Sequence, residues 1–470
     1  MRPLDVEGLQ HLQATGKGLG EVALLNARVH SSAVSPAQGH GPCGADGRDR
    51  VDVLCTVGQI ACDKTPSVRI SHTRRARIKP GSVNRWRRVR LASFHGTRPV
   101  TPLGPDFDVG TSDMPVVIAA DSLQGFLERV FERAGCSSNE ATTVARHFVL
   151  SDMSGHSSHG TIRLPVYLER LRDREIIPGN RGKPVVDTES LLVLEGHLGF
   201  GQVVAEHGIA QGIEKARRHG VALVAMRNMS HCGRLGHYAE LAADAGQASI
   251  HFVNTGGYGL WVAPFGGTDR RLSTNPVCIG IPRENALPVI WDAATSVIAV
   301  GKIWVAANKG DALPPGCLLD KDGTPTTDPH ALLAGGAVVP FGGYKGYGLS
   351  IVTDLLAGAL IGGKCSKPGV DVLVNNQLSI LMDPESIGDA GPFEAEARQF
   401  IDWVKASPPV DGGEVLVPGE VEARSRRETA ETGLSFDETT WAQCVDAARS
   451  VGMSTAEIAA LAATPLASGA

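Results

Sequence analysis

Between Val221 and Thr255 the hydrophobic pattern changes period twice, and that restricts how the segment can fold. VALVAMRN (221–228) is apolar and β-branched, which suits a buried strand. Ser230-His231-Cys232-Gly233 interrupts it, and RLGHYAELAADAG then sets Leu235, Tyr238, Leu241 and Ala242 on one helical face. Gly246 suits a helix stop, and ASIHFVNT (248–255) alternates like a second strand. This puts His231 in a strand-to-helix turn, where the positive end of a helix dipole lowers an imidazole's pKa and favours its neutral form. Such a histidine can take a proton from an alcohol or, once protonated, return one to a carbonyl. On this stretch alone an ordinary surface-turn histidine is the commoner reading.

At 470 residues there is room for more than one domain. A formal net charge of −5 argues against a chain that binds nucleic acid as a whole. The nine cysteines form no C-x-x-C pair and no regular spacing, which points to a reducing, cytoplasmic setting without a zinc ribbon. No apolar run is long enough to span a bilayer. Residues 1–112 differ from the rest in being rich in Arg, Gly, Pro, Ser and His. They could be a basic nucleic-acid tail, a transit peptide, an unfamiliar small domain, or sequence translated from a start codon placed too early. The last is favoured, so the segment is expected to be disordered or a mis-called extension and is assigned no function.

A new pattern begins at Met114. Asp121 can cap a helix carrying Leu123, Phe126, Leu127, Val130 and Phe131, and Ser138 opens a second one. Turn residues then lead into a helix with Arg163 and Tyr167 on one face, just after Ser158 and His159. Arg163 could hold a carboxylate bidentately, with Ser158 and Tyr167 adding hydrogen bonds. A solvated helix face with an incidental histidine is the plainer reading. His156 and His159 find no third ligand at metal spacing, so no metal is expected.

Strands and helices alternate from about 183 to 340, and 315–329 reads as a loop. FGGYKGYGLSIVTDLLAGAL (341–360) is a glycine-rich turn feeding an apolar helix, with Lys345 placed to meet a phosphate. It is no Walker A loop, and no G-x-G-x-x-G follows a strand. Taken alone, such a turn more often serves helix packing. Residues 378–384 read as a strand, with helices at about 390–406 and 420–431, one capped by Asp437 and a last one by Ser454.

In order, SHGTIRLPVY, SHCGRLGHYAE, RLSTNP, DAATS, DKDGTPTTDP, GGYKGYGL and VPGE (417–420) resemble the malate/L-lactate dehydrogenase family, over about residues 114–455. GRLG after His231, APFGG (263–267) and RLSTNP are most similar to its hydroxycarboxylate dehydrogenase B-like branch. The resemblance implies an α/β, non-Rossmann, L-sulfolactate dehydrogenase-like fold. A mixed, largely antiparallel sheet would form an NAD(P)-binding domain at 196–339, and residues 113–195 with 340–470 a helical substrate and dimerisation lobe. It implies a homodimeric oxidoreductase using NAD or NADP on 2-hydroxy or 2-oxo acids, with no membrane or nucleic-acid partner.

By motif, His231 is the implied acid/base, with His159 second in rank, and Ser158, Arg163 and Tyr167 lie on the substrate side. Asn254, Thr255, Asp292, Ala293, Ala294, Thr295, Gly343, Lys345, Gly346, Pro418, Gly419 and Glu420 match segments that meet the dinucleotide. Asp292 could instead orient His231. Cys232 and Trp291 depart from the family pattern without removing a chemical group. Reduction of a cyclic imino acid, a metal-dependent hydrolase or lyase, and a non-catalytic dimeric binding protein stay open as alternatives.

Overall fold

The computed structural model describes residues 115–462 except 258, 368–371 and 389, so the 1–112 segment and the extreme C-terminal tail lie outside the described residues. β1 (Val116–Ile118) leads into α1 (Ala120–Arg133) and α2 (Ser138–Met153). Asp121 falls inside the first turn of α1 rather than capping it, where its charge still complements the helix dipole. α2 opens at Ser138 as read, and Ser137 before it is the cap, in a reciprocal capping box with Glu140. Two 3₁₀ turns, Ser157–His159 and Thr161–Arg163, precede α3 (Leu164–Arg172). An aromatic cluster fills this lobe: Phe131 meets Phe148, Tyr167 and Phe200 edge-on, with ring centroids 5.9, 6.4 and 6.0 Å away.

β2 (Lys183–Asp187) and β3 (Leu191–Glu195) come next, then α4 (Gly201–His219), β4 (Val221–Met229), α5 (Gly236–Asp244) and β5 (Ala248–Gly256). β6 (Val277–Ile281), β7 (Val289–Ala293) and α6 (Val300–Lys309) follow. The 315–329 segment, read as a loop, contains β8 (Leu318–Leu319) and β9 (Pro325–Thr326). They form a hairpin because the Asp320 carboxylate accepts from the Asp322 and Thr324 N–H groups and shapes the turn. α7 (His330–Leu333) and β10 (Ala337–Val338) complete that small sheet, and α8 (Tyr344–Asp354) runs into a π-helical turn, Leu355–Leu360.

β11 (Val374–Met382) is followed by α9 (Pro384–Ile387), α10 (Ala390–Lys405) and α11 (Glu420–Thr432). β12 (Leu434–Phe436) pairs with β1, and α12 (Glu438–Ser450) and α13 (Thr455–Ala462) close the helical lobe. Asp437 and Ser454 accept N–H bonds at the starts of these last two helices, as the sequence implies. Among the described residues no helix is long and apolar enough to cross a membrane.

The main sheet has seven strands in the order β2-β3-β4-β11-β5-β6-β7. Only β3–β4 is parallel, through the α4 crossover, and every other neighbour pair is antiparallel. The sheet therefore reaches outside the 196–339 span, because β2, β3 and β11 belong to it. One face packs under α4 and α5, where Gly212 allows the helix onto Val224 and Leu381. The opposite face is covered around Ile361 and Leu378 next to the π-helical turn.

β11 is central yet starts four residues before the strand read from sequence. Its first part holds Asn375, Asn376 and Gln377, 3%, 0% and 0% exposed, in a register that slips against β4. On β4 the slip falls at Asn228, whose backbone is left-handed (φ 53°). Asn376 Oδ1 accepts from the Asn228 N–H (2.8 Å), and its Nδ2 donates to Asn254 Oδ1 (2.8 Å). Replacing Asn376 with alanine strands both partners in a dry interior. A loss of about 2–4 kcal/mol in urea unfolding is expected, and a loss below about 0.5 kcal/mol would show that the bonds are replaceable.

Candidate active site

Asp152, near the end of α2, builds the first wall. Its carboxylate accepts from the Thr161 N–H (2.8 Å) and hydroxyl (2.6 Å), which folds the chain into the paired 3₁₀ turns. Gly160 lies so close to this carboxylate that no side chain fits there. The turn thereby sets His159 and Arg163 on either side of Thr161. Arg163 does not share a helix face with Tyr167 as expected, because it ends the second 3₁₀ turn while Tyr167 points inward from α3 and is 1% exposed. The Arg163 Nε donates to the Ser158 carbonyl (2.6 Å), and its guanidinium lies 5.8 Å over the Trp304 ring. Gly301 lets α6 approach Ser158 directly.

His231 supplies the second wall. The bulge at Asn228 turns β4 out of the sheet, and the Ser230 hydroxyl accepts from the Gly201 N–H (3.1 Å) at the start of α4. Asn375 Oδ1 accepts from the Cys232 N–H (3.0 Å) on the other side. Held between them, His231 stacks on His159 with centroids 5.3 Å apart and planes 5° from parallel. Its Nδ1 is 2.8 Å from the Tyr167 hydroxyl, which also donates to the His231 carbonyl (3.2 Å).

Burial, then Arg163, then His159 hold the His231 imidazole well below its ordinary pKa. The sequence anticipated this direction from α5. That helix starts only at Gly236, and it is the first turn of α4 that touches the His231 main chain, at Gly201. Burial and Arg163 likewise push His159 down to about 3, so both rings are neutral at pH 7.

The remaining sequence candidates fall into three groups. Asp292 accepts from the Gly236 N–H (2.7 Å), with burial raising its pKa, so Tyr167 and not Asp292 is the residue at His231 Nδ1. It shares a cleft with Arg234, Leu287, Pro288, Ile290 and Gly419. There the Pro418 carbonyl accepts from the Ile290 N–H (3.1 Å), and Glu420 pairs with Lys405 (2.5 Å). In the second group, Ala293 ends β7, Ala294 follows it, and the Thr295 carbonyl accepts from the Phe341 N–H (3.1 Å) at the glycine turn. Gly343 there has φ 62°, Gly346 is buried against the Phe341 carbonyl, and Lys345 is exposed.

The third group is internal. Asn254 donates to Asp354 (2.8 Å) and the Lys364 carbonyl (2.9 Å), and Thr255 accepts from Asn375 (3.0 Å), so both side chains are engaged within the protein. Asp152, Gln202, Arg234 and Trp304 complete the surroundings and were missed by the sequence reading. A polar residue opening an otherwise apolar helix face was the only available hint of Gln202.

His156 turns away from His159 to Glu422 (3.2 Å). His147, Glu206 and His237 bring possible ligand atoms within 4.8 Å of one another. His147 Nε2, however, accepts from the Arg234 N–H (2.8 Å), and Glu206 pairs with Arg146 (2.7 Å) and His237 (2.8 Å). These bonds make the cluster a staple between α2, α4 and α5.

A family model described as malate/L-lactate dehydrogenase matches residues 118–445. Hydroxycarboxylate dehydrogenase B of Escherichia coli is 40% identical over 341 residues, covering 71% of this chain and 94% of that protein. L-lactate dehydrogenase of Cupriavidus necator is 40% identical over 308 residues, 64% of this chain and 88% of that protein. The solved sulfolactate dehydrogenase of Methanocaldococcus jannaschii is similar at a TM-score of 0.66 and 34% identity, covering 72% of this chain and 98% of that one.

Burial raises the Asp152 carboxyl to about 7, against which the Thr161 bonds act. The folded state therefore keeps a proton that the unfolded chain releases near pH 4, and this group's contribution to stability falls as pH rises toward 7. Asp152→Asn keeps an acceptor for Thr161 and removes that titration. Its melting temperature should fall less than that of the wild type between pH 5 and 7 in matched thermal scans, and parallel curves would refute the assignment.

Proposed function

The chain belongs to the malate/L-lactate dehydrogenase family and is an oxidoreductase of 2-hydroxy and 2-oxo acids, and we propose that His231 is its acid/base and Arg163 its carboxylate anchor. One observation carries this reading: a neutral His231 lies beside a half-buried arginine whose terminal nitrogens have no partner among the described residues. Among the described residues the Arg163 guanidinium spends only Nε on protein, at the Ser158 carbonyl, which leaves its other two nitrogens for a bidentate carboxylate pair. His231, unprotonated at neutral pH, can take the C2 hydroxyl proton of a substrate anchored there and return it in the other direction. His159, neutral and stacked beside it, shapes the same pocket and is proposed as a supporting residue.

The hydride acceptor we propose is NAD or NADP, which supplies the redox chemistry when bound. The residues fit an anionic dinucleotide at two places. The cleft at Asp292 and Gly419 also holds Arg234 and Arg426, both paired with Glu240 there, so it offers a dinucleotide hydrogen-bonding groups rather than a free cation. The turn at Gly343 presents the exposed Lys345 at the start of α8. Lys345 would meet phosphate charge and Asp292 a ribose hydroxyl. With β4–β7 and the glycine turn around them, these residues support assigning the sheet region to the cofactor and the helical lobe to substrate and dimer contacts.

We also propose a homodimer. Phe400 and Trp403 stack on α10 while 59% and 74% exposed, and Ile387 nearby is 68% exposed. All six cysteines described as free accord with a reducing, cytoplasmic location.

The test is oxidation of NADH and NADPH by the full-length protein with a panel of 2-oxo acids and one cyclic imine. His231→Ala should lower kcat by about 10²–10⁴-fold, and Arg163→Leu should raise KM for the oxo acid by about tenfold or more. In the oxidation direction the rate should fall only below pH 6.5, because the base must first be protonated. Turnover confined to the imine would shift the substrate class to C=N reduction. No turnover, with neither dinucleotide raising the melting temperature, would overturn the proposal.

A further inference from the structure

Gln202 is the second residue of α4, 0% exposed, and lies behind the site rather than in it. Its Nε2 donates to the Tyr167 hydroxyl at 2.7 Å, and that hydroxyl is 2.8 Å from His231 Nδ1 and 3.2 Å from the His231 carbonyl. We propose that Gln202, acting through Tyr167, is a positioning residue that locks His231 in the Nδ1–H tautomer and so presents an unprotonated Nε2 to the substrate. The inference rests on His231 being the acid/base.

The assignment follows from counting hydrogens. A phenol oxygen has one hydrogen to give and two lone pairs with which to accept. The amide Nε2 can only donate, so it occupies one lone pair. The main-chain carbonyl can only accept, so it takes the hydrogen. One lone pair is left facing His231 Nδ1, and that nitrogen must carry a hydrogen to use it.

Helix placement makes the set rigid. Gly201 brings the first turn of α4 against the main chain of Ser230 and His231, closer than any side chain would allow. Tyr167 is fixed on its other side by the rings of Phe131, Phe148 and Phe200, whose centroids are 6.4, 4.9 and 6.2 Å away. Burial raises the phenol's pKa, so Tyr167 keeps its hydrogen at any working pH.

The chemical consequence is a proton transfer without rearrangement. A bound nicotinamide would supply the hydride acceptor; the part of this chain is to receive the proton of the breaking substrate O–H bond at His231 Nε2, giving an imidazolium. The Nδ1–H, Tyr167 and Gln202 bonds are the same before and after. In the reverse direction Nε2 gives its proton to the carbonyl oxygen, and the same neutral tautomer returns. With Nε2–H instead, the histidine would be blocked as a base, and each cycle would have to turn the phenol first.

The experiment uses the full-length protein labelled with ¹⁵N-histidine, together with steady-state kinetics of Gln202→Leu, Gln202→Glu, Tyr167→Phe and Gln202→Leu/Tyr167→Phe. A signal lost in His231→Ala identifies the ring. Wild type should show the Nδ1–H pattern. Gln202→Leu should show a mixture or the Nε2–H form, with kcat about tenfold lower, KM within about twofold and a displaced acidic limb.

Because Gln202 acts only through Tyr167, the double variant should be no slower than Tyr167→Phe. Gln202→Glu accepts the phenol hydrogen and leaves a lone pair for Nδ1–H, so it should keep the wild-type tautomer and most of kcat, even if the leucine variant does not fold. A wild-type tautomer and pH profile in Gln202→Leu, multiplying losses in the double variant, or loss of the Nδ1–H signal in Gln202→Glu would each overturn the proposal. An active His231→Ala would instead remove the acid/base reading on which it rests.

Discussion

A strand that carries three buried amides occupies the middle of the main sheet, and the geometry of the site depends on it. Asn375, Asn376 and Gln377 would each cost about 1–3 kcal/mol if their polar atoms went unpaired. Two of them are spent on holding other chain segments. Asn375 joins the Cys232 N–H to the Thr255 hydroxyl across β11, and Asn376 joins the Asn228 N–H to Asn254. These bonds stabilise the left-handed Asn228, end β4 and direct the 230–235 segment toward α3 and the paired 3₁₀ turns. The His231 ring is therefore placed by the sheet and the start of α4, through hydrogen bonds on either side of it.

This dependence explains which parts of the molecule were legible in the sequence. Elements whose burial follows their own period, such as α1 with Phe126, Leu127 and Phe131, could be read to within a residue or two. So could caps made by local chemistry, such as Asp437 and Ser454. β11 was read only from Leu378 onward, because three consecutive amides look like a loop until the partners of Asn375 and Asn376 on β4, β5 and the 230–235 segment, more than a hundred residues away in sequence, are known. Its insertion between β4 and β5 is a non-local pairing that no local pattern encodes.

The site residues divide in the same way. Ser158, His159, Arg163 and His231, which two separate motifs carry, lie beside one another in the fold. Tyr167 shares the motif yet stands behind the histidine, while Asn254 and Thr255 serve the interior. A motif identifies which residues matter to a fold of this type and is silent about which of their atoms remain free. Asp152 and Gln202 belong to no pattern at all. Each is a single polar residue whose task is to satisfy another polar group at a distance, and only the folded geometry reveals it.

The electrostatics of the pocket rest on one consistent choice. Burial of the two imidazoles, and then the half-buried Arg163 beside them, raises the cost of a second positive charge and keeps both rings neutral. The buried acid Asp152 is itself turned to Thr161 and favours its neutral form. Among the described residues no acid pairs with Arg163, which is what the proposed carboxylate site requires. Trp304 suits such a site, because its ring covers a face of the guanidinium and reduces competition from water. Trp304 belongs to α6, which packs with the small β8–β10 sheet, whereas Arg163 belongs to the helical lobe. A carboxylate bound at Arg163, as proposed, would meet a surface made by two parts of the fold at once, and its grip would depend on α6 staying seated on Ser158 through Gly301.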